Sequence, residues 1–158
     1  MKESFKKIME EREYRKVLIT GHSFGGAVAA LVAVDIVKEN LAKKNKVTLI
    51  TLGQSMVGDK DFAKAYEKEV KHSYRVVRRG DSIPYVPGQE RGYEFNGREV
   101  FYDKYGMQSD GSTGFKICER GKDFDEEGCS GKQTNPLRAI NNDEYFRRNV
   151  TKYGLKCK

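Results

Sequence analysis

At 158 residues, with 37% hydrophobic and 34% charged side chains, the chain has the size and composition of one soluble, rather polar globular domain that buries roughly 70% of its unfolded surface. No apolar run reaches the roughly 18 to 20 residues a membrane span needs, the longest being interrupted by Asp35, and the charged start MKESFKKIMEEREYRKV does not read as a signal peptide. The net charge of +7 comes from Lys and Arg interleaved with Glu and Asp, with no block of five like charges and no basic groove motif with stacking aromatics, which argues against nucleic acid as a partner.

In chain order, Glu3 to Tyr14 is predicted as an amphipathic helix with Phe5, Ile8 and Met9 on one side. Val17 to Thr20 reads as a short apolar strand, and Phe24 to Lys38 as a helix opening on Gly25, Gly26, Ala27, Ala29 and Ala30. Val47 to Leu52 is a second buried strand. A helix is predicted from Asp59 to Val70, capped by Asp59 or Asp61, with Phe62, Ala65, Tyr66 and Val70 on its apolar side. Tyr74 to Arg78 is a third strand, and this alternation predicts an α/β sheet with parallel central strands.

After Pro87 the pattern changes. GYEFNGREVFYD is two β runs around Asn96-Gly97, a strong hairpin signal. FKIC adds a strand, and the tail from Asp143 reads as a short helix. Neither an internal repeat nor a linker is visible, so the chain is expected to be one domain or part of one.

The three cysteines are Cys118, Cys129 and Cys157. Cys118 and Cys129 flank the polar stretch ERGKDFDEEG, and a disulfide closing it would stabilise by roughly 3 kcal/mol in the loop-entropy account. The alternative is three free thiols in a cytosolic protein. Their placement in polar loop and tail segments favours the oxidised, extracellular reading, which leaves Cys157 asking for a partner elsewhere.

The stretch VLITGHSFGGAVAALVAV carries Gly-x-Ser-x-Gly between a strand and a helix. That is the context in which a serine nucleophile sits on a strained turn, and Gly21 and Gly25 are expected to leave room for the turn and the passing helix. Ser23 would stand near the positive end of the helix dipole, with the Phe24 backbone N–H aimed at a developing oxyanion. His22, adjacent in sequence, is expected to point elsewhere and not to serve as the base.

GHSFGGAVAALVAVDI resembles the class 3, fungal-type triacylglycerol lipases of the α/β-hydrolase superfamily. TLGQSMVGDKDFAKAY is similar to that family's T-x-G-Q-P-R-V-G-x-x-x-F-A segment, with Ser55 and Met56 in place of Pro-Arg. YRVVRRGDSIPYVP is similar to the strand-turn segment with the catalytic aspartate, which falls on Asp81. GYEFNGREVFY resembles the hairpin that follows, and C-x10-C-S the family's disulfide loop at Cys118 and Cys129. The resemblance implies an α/β-hydrolase-like sheet of parallel core strands flanked by helices, with a C-terminal β-hairpin. It implies hydrolysis of acyl esters in glycerides without cofactor or metal, transient contact with a lipid interface, and secretion. Ser23 would attack, Asp81 would orient a histidine, and the Phe24 N–H would stabilise the oxyanion.

The base departs from this pattern. Triads on this fold run Ser, then Asp or Glu, then His, and no histidine follows Asp81. The family's D-H-x-x-Y-F segment aligns with NNDEYF and puts Asn142 at the histidine position, where an amide cannot take up a proton near neutral pH. His72, before the strand Tyr74 to Arg78, is expected at the far end of that strand, roughly 15 to 20 Å from the elbow.

Only about 20 residues precede Ser23, too few for the upstream loop that gives the second oxyanion donor. The expectation is therefore a C-terminal part of the domain, with the N-terminal half missing and the partner of Cys157 upstream. Hydrolysis is expected to be weak or absent. The rival readings are a non-catalytic lipid- or ester-binding pseudoenzyme and a basic surface-binding module.

Overall fold

A computed structural model describes residues 2–11, 16–103, 107–112, 114–119, 128–132 and 142–155. Short runs rich in β-branched residues suit a pleated, half-buried surface. They form β1 (Val17–His22) and β2 (Val47–Leu52), which pair in parallel. The helices α1 (Lys2–Glu10) and α2 (Phe24–Lys38) precede and follow β1. A short strand β3 (Gly58–Asp59) leads into α3 (Lys60–Glu69), and β4 (His72–Arg78) returns parallel to β2. After β5 (Tyr93–Glu94), the strands β6 (Arg98–Tyr102) and β7 (Phe115–Cys118) complete a five-stranded sheet of order β1-β2-β4-β6-β7. Its first four strands are parallel and β7 is antiparallel to β6.

α2 packs closely on one face of the sheet because its inner positions are small. Ala30 and Ala33 are fully buried against Val47, Leu49, Tyr66 and Val70. The opposite face carries the row His22–Leu52–Val76–Val100–Ile117 across all five strands. The C-terminal segment covers this face together with Met107 of the β6–β7 connection, and Tyr145, Phe146 and Val150 pack with it against Leu52, Val76 and Val100.

Several expected boundaries move. α1 ends at Glu10, residues 12–15 lie outside the described residues, and Phe5 and Met9 reach the core while Ile8 stays exposed. β1 runs two residues further, through His22, and β4 begins at His72. Asp59 is the cap of α3, its carboxylate accepting from Phe62 N at 2.8 Å. Ala63, not Ala65, is buried beside Tyr66, because it lies three residues away on the same helix face.

The hairpin expected around Asn96-Gly97 does not form. β5 pairs with β3 and β6 pairs with β4, so the two runs part company at the turn. Burial explains the separation. Phe95 lies beneath the Arg75 guanidinium at 4.8 Å, and Arg75 Nε donates to the Asn96 carbonyl at 2.7 Å. Arg75 is in turn 3.6 Å from the buried Glu99, whose carboxylate accepts from Ser130 N at 2.9 Å.

The tail is a hairpin before it is a helix. β8 (Glu144–Tyr145) and β9 (Arg148–Asn149) pair across Phe146 and Arg147, both at positive φ, and α4 spans Val150–Gly154. Cys118 and Cys129 are joined in a disulfide, while Cys157 lies outside the described residues.

Candidate functional site

The carboxyl ends of parallel strands are where open α/β sheets gather their functional side chains. At the end of β1 the chain turns into α2 through Ser23, whose backbone sits at φ 57°, ψ −131°. A non-glycine residue there costs on the order of 1–3 kcal/mol, and the surrounding turn holds it. Ser23 N donates to Leu52 O at 2.9 Å, and Ser23 O accepts from Gly26 N at 3.0 Å. The Ser23 side chain makes no capping bond to the helix it precedes. Phe24 begins α2, so its N–H belongs to the first turn, where backbone donors lack intrahelical partners, and its ring is 74% exposed.

Gly21 permits this turn. A Cβ there would lie 2.7 Å from the Gly25 carbonyl carbon and 2.8 Å from Gly26 Cα. Gly25 itself faces open space, contrary to expectation. The second close approach is at Gly26, where a Cβ would come within 3.0 Å of Gln54 Cβ.

Asp81 follows β4 by three residues and is fully buried. Its Oδ1 accepts from Ile83 N at 3.0 Å. Its Oδ2 accepts two side-chain donors, Asn142 Nδ2 at 2.9 Å and Tyr145 OH at 2.6 Å. Asn142 Nδ2 also lies 3.4 Å from the Gly53 carbonyl, so two acceptors face the nitrogen end of its amide. Burial, reinforced by the neighbouring carboxylate, pushes the Tyr145 hydroxyl well above its ordinary pKa and keeps it a donor.

Gly53 makes room for this cluster. It adopts φ +56°, and a Cβ on it would fall 2.6 Å from Asp81 Oδ2 and 2.8 Å from Tyr145 OH. His22, one residue before Ser23, reaches Asn142 O with Nε2 at 2.7 Å and meets the Tyr145 ring edge-on at 5.9 Å. The expected site residues Asp81 and Asn142 are therefore in contact. His72 is exposed at the opposite end of β4, roughly 20 Å along the strand from Arg78.

Sequence reading missed Tyr145 and Gly53 as members of this cluster. Both lie in segments singled out for other reasons, TLGQ and NNDEYF. A groove of about 340 Å³ opens beside the β1–α2 turn, walled by Phe24, Val28 and Leu31 of α2, by Met56, and by Val86 and Pro87. Among the described residues no group of three or more His, Cys, Asp or Glu is placed to hold a metal, and no helix is long and apolar enough to cross a membrane.

Residues 1–91 match the family described as Lipase (class 3). A lipase of Rhizomucor miehei is 30% identical over 137 residues, covering 85% of this chain and 36% of that protein. Lipase ZK262.3 of Caenorhabditis elegans is 43% identical over 81 residues, 51% of this chain and 23% of its own length. The solved structure of lipase II from Rhizopus niveus superposes with a TM-score of 0.78 at 27% identity, over 91% of this chain and 52% of that one. The chain thus spans about half the length of the solved relatives and less of the curated ones. With more than half of its residues inside the family match and a fold shared with the fungal lipases, this chain belongs to the class 3 lipase family and has the α/β-hydrolase fold.

Proposed function

We propose that the chain carries the nucleophile and acid of a lipase-type ester-hydrolase site, and that as it stands it hydrolyses esters weakly or not at all. Ser23 is the nucleophile, the Phe24 N–H an oxyanion donor, and Asp81 the acid that would orient a base. Attack would require a group that removes the Ser23 proton, and Asn142 stands where that group belongs. The observation carrying this reading is the 2.9 Å bond from Asn142 Nδ2 to Asp81 Oδ2. The amide makes the bond a base's N–H would make and offers no lone pair able to accept a proton near neutral pH.

The substrate class is the carboxylic esters of glycerides. Family membership supports it, and so does the apolar groove at Phe24, Val28, Leu31 and Val86, which suits an acyl chain. Exposed Phe24 and Val86 beside the groove favour transient contact with a lipid interface. The Cys118–Cys129 disulfide supports an extracellular setting, as does the similarity to a secreted mono- and diacylglycerol lipase of Fusarium solani. The same Asn142 bond favours one other reading, a pseudoenzyme that binds lipids or esters without turning them over.

A fluorophosphonate probe with peptide mapping tests the assignment. The native chain is expected to label at Ser23 slowly or not at all, and Asn142→His to raise the rate by orders of magnitude. Fast labelling of Ser23 in the native chain would overturn the inactivity.

A further inference from the structure

His22 occupies the last position of β1, on the sheet face that the C-terminal segment covers. Its Nε2 is 2.7 Å from the carbonyl oxygen of Asn142. A carbonyl only accepts, so His22 is the donor and carries its proton on Nε2. With its proton committed to that carbonyl, Nε2 has no lone pair to take a proton from the neighbouring serine. The His22 ring also meets Tyr145 edge-on at 5.9 Å and 74°.

These contacts close a circuit. His22 holds the backbone of Asn142; Asn142 and Tyr145 both donate to Asp81 Oδ2; and the Tyr145 ring returns to His22. Three chain segments meet in it, namely the end of β1 leading into Ser23, the turn after β4 bearing Asp81, and the C-terminal segment bearing Asn142 and, in β8, Tyr145. A side chain at position 142 is directed by where its own backbone stands. The residue that fixes this backbone is the one covalently attached to Ser23.

We infer that His22 is a positioning residue, whose Nε2–H bond to Asn142 O sets the placement of the base-position side chain relative to Ser23. The link to ester chemistry rests on the function proposed above; the link to backbone placement does not. The two are tested separately.

Amide hydrogen exchange in the full chain tests placement. Phe146 N and Val150 N of the C-terminal segment are both hydrogen-bonded, the first to Met107 Sδ of the β6–β7 connection and the second to Asp143 O. His22→Phe keeps a ring against Tyr145 but removes the donor. It should speed exchange at these two amides about tenfold and leave Leu49 and Val77 in the core strands unchanged. His22→Gln, which offers an N–H at similar reach, should restore most of the protection. Native protection in His22→Phe, or an equal rise at Leu49 and Val77, would overturn the inference.

Fluorophosphonate labelling in the Asn142→His background tests the chemical consequence. Labelling should survive His22→Gln and fall about tenfold or more in His22→Phe. Labelling unaffected by His22→Phe would overturn the placement of the base by His22. No labelling in Asn142→His with His22 intact, alongside the expected exchange pattern, would sink the proposed hydrolase chemistry and leave the placement of the 142 backbone standing.

Discussion

Asn142 donates to the same carboxylate oxygen of Asp81 that Tyr145 donates to, at 2.9 and 2.6 Å. The carboxylate is fully buried, and with Ile83 N on its other oxygen both oxygens are engaged by protein donors. A buried charge without such partners would be costly, so the cluster is a structural unit whatever chemistry it serves.

Tyr145→Phe tests that unit directly. It removes one donor from the buried carboxylate and leaves the ring in place. Hydrogen bonds to charged groups contribute about 1.5–3 kcal/mol, so urea denaturation should show a loss of that size. A change under about 0.5 kcal/mol, the range of an ordinary surface substitution, would mean the bond contributes nothing net.

Gly53→Ala should be at least as damaging. The new methyl would lie 2.6 Å from Asp81 Oδ2, and its residue would be held at φ +56°. A loss of about 2–4 kcal/mol is expected from the clash and the strain together. A destabilisation no larger than that of an exposed glycine such as Gly92, substituted in parallel, would contradict the geometry.

The Ser23 backbone predicts a gain. Ser23→Gly relieves the conformation at φ 57°, ψ −131°. After the entropic cost of a glycine in the unfolded chain, the protein should become about 1 kcal/mol more stable. Ser23→Ala keeps the strain and should change stability by less than about 0.5 kcal/mol. If both variants shift the denaturation midpoint equally, the strain is not there.

Alkaline pH gives a fourth test. Burial pushes the Tyr66 hydroxyl up to about 12, although Ser73, 2.7 Å away, opposes the shift. The folded state then holds a proton that the unfolded state releases above about pH 10, so stability is complete below that and falls as pH rises toward 12. The urea midpoint should decline over this window, and less steeply in Tyr66→Phe. An identical slope in that variant would assign the decline to other groups.

The elements that read correctly from sequence are those with local causes. Phe24–Lys38 and Val47–Leu52 match to the residue, because a small-residue helix after a glycine turn and a β-branched run need no outside partner to be recognised. Asn96-Gly97 misled for the complementary reason. Its turn chemistry is local, but the pairing of the strands on either side was decided by Arg75 and Phe95, which draw the turn into the core.

The amino-acid order alone determined which side chains are available for chemistry: a serine between a strand and a helix, an aspartate beyond a later strand, and no histidine after it. Reading the order of these side chains needs no coordinates. What only the tertiary structure decided is how those residues meet. Asp81, Asn142, Tyr145, Gly53 and His22 are brought together by strand register and by the C-terminal segment crossing the sheet, over separations of up to 120 residues. No local rule encodes such contacts, because the burial that makes them favourable exists only once the sheet is assembled.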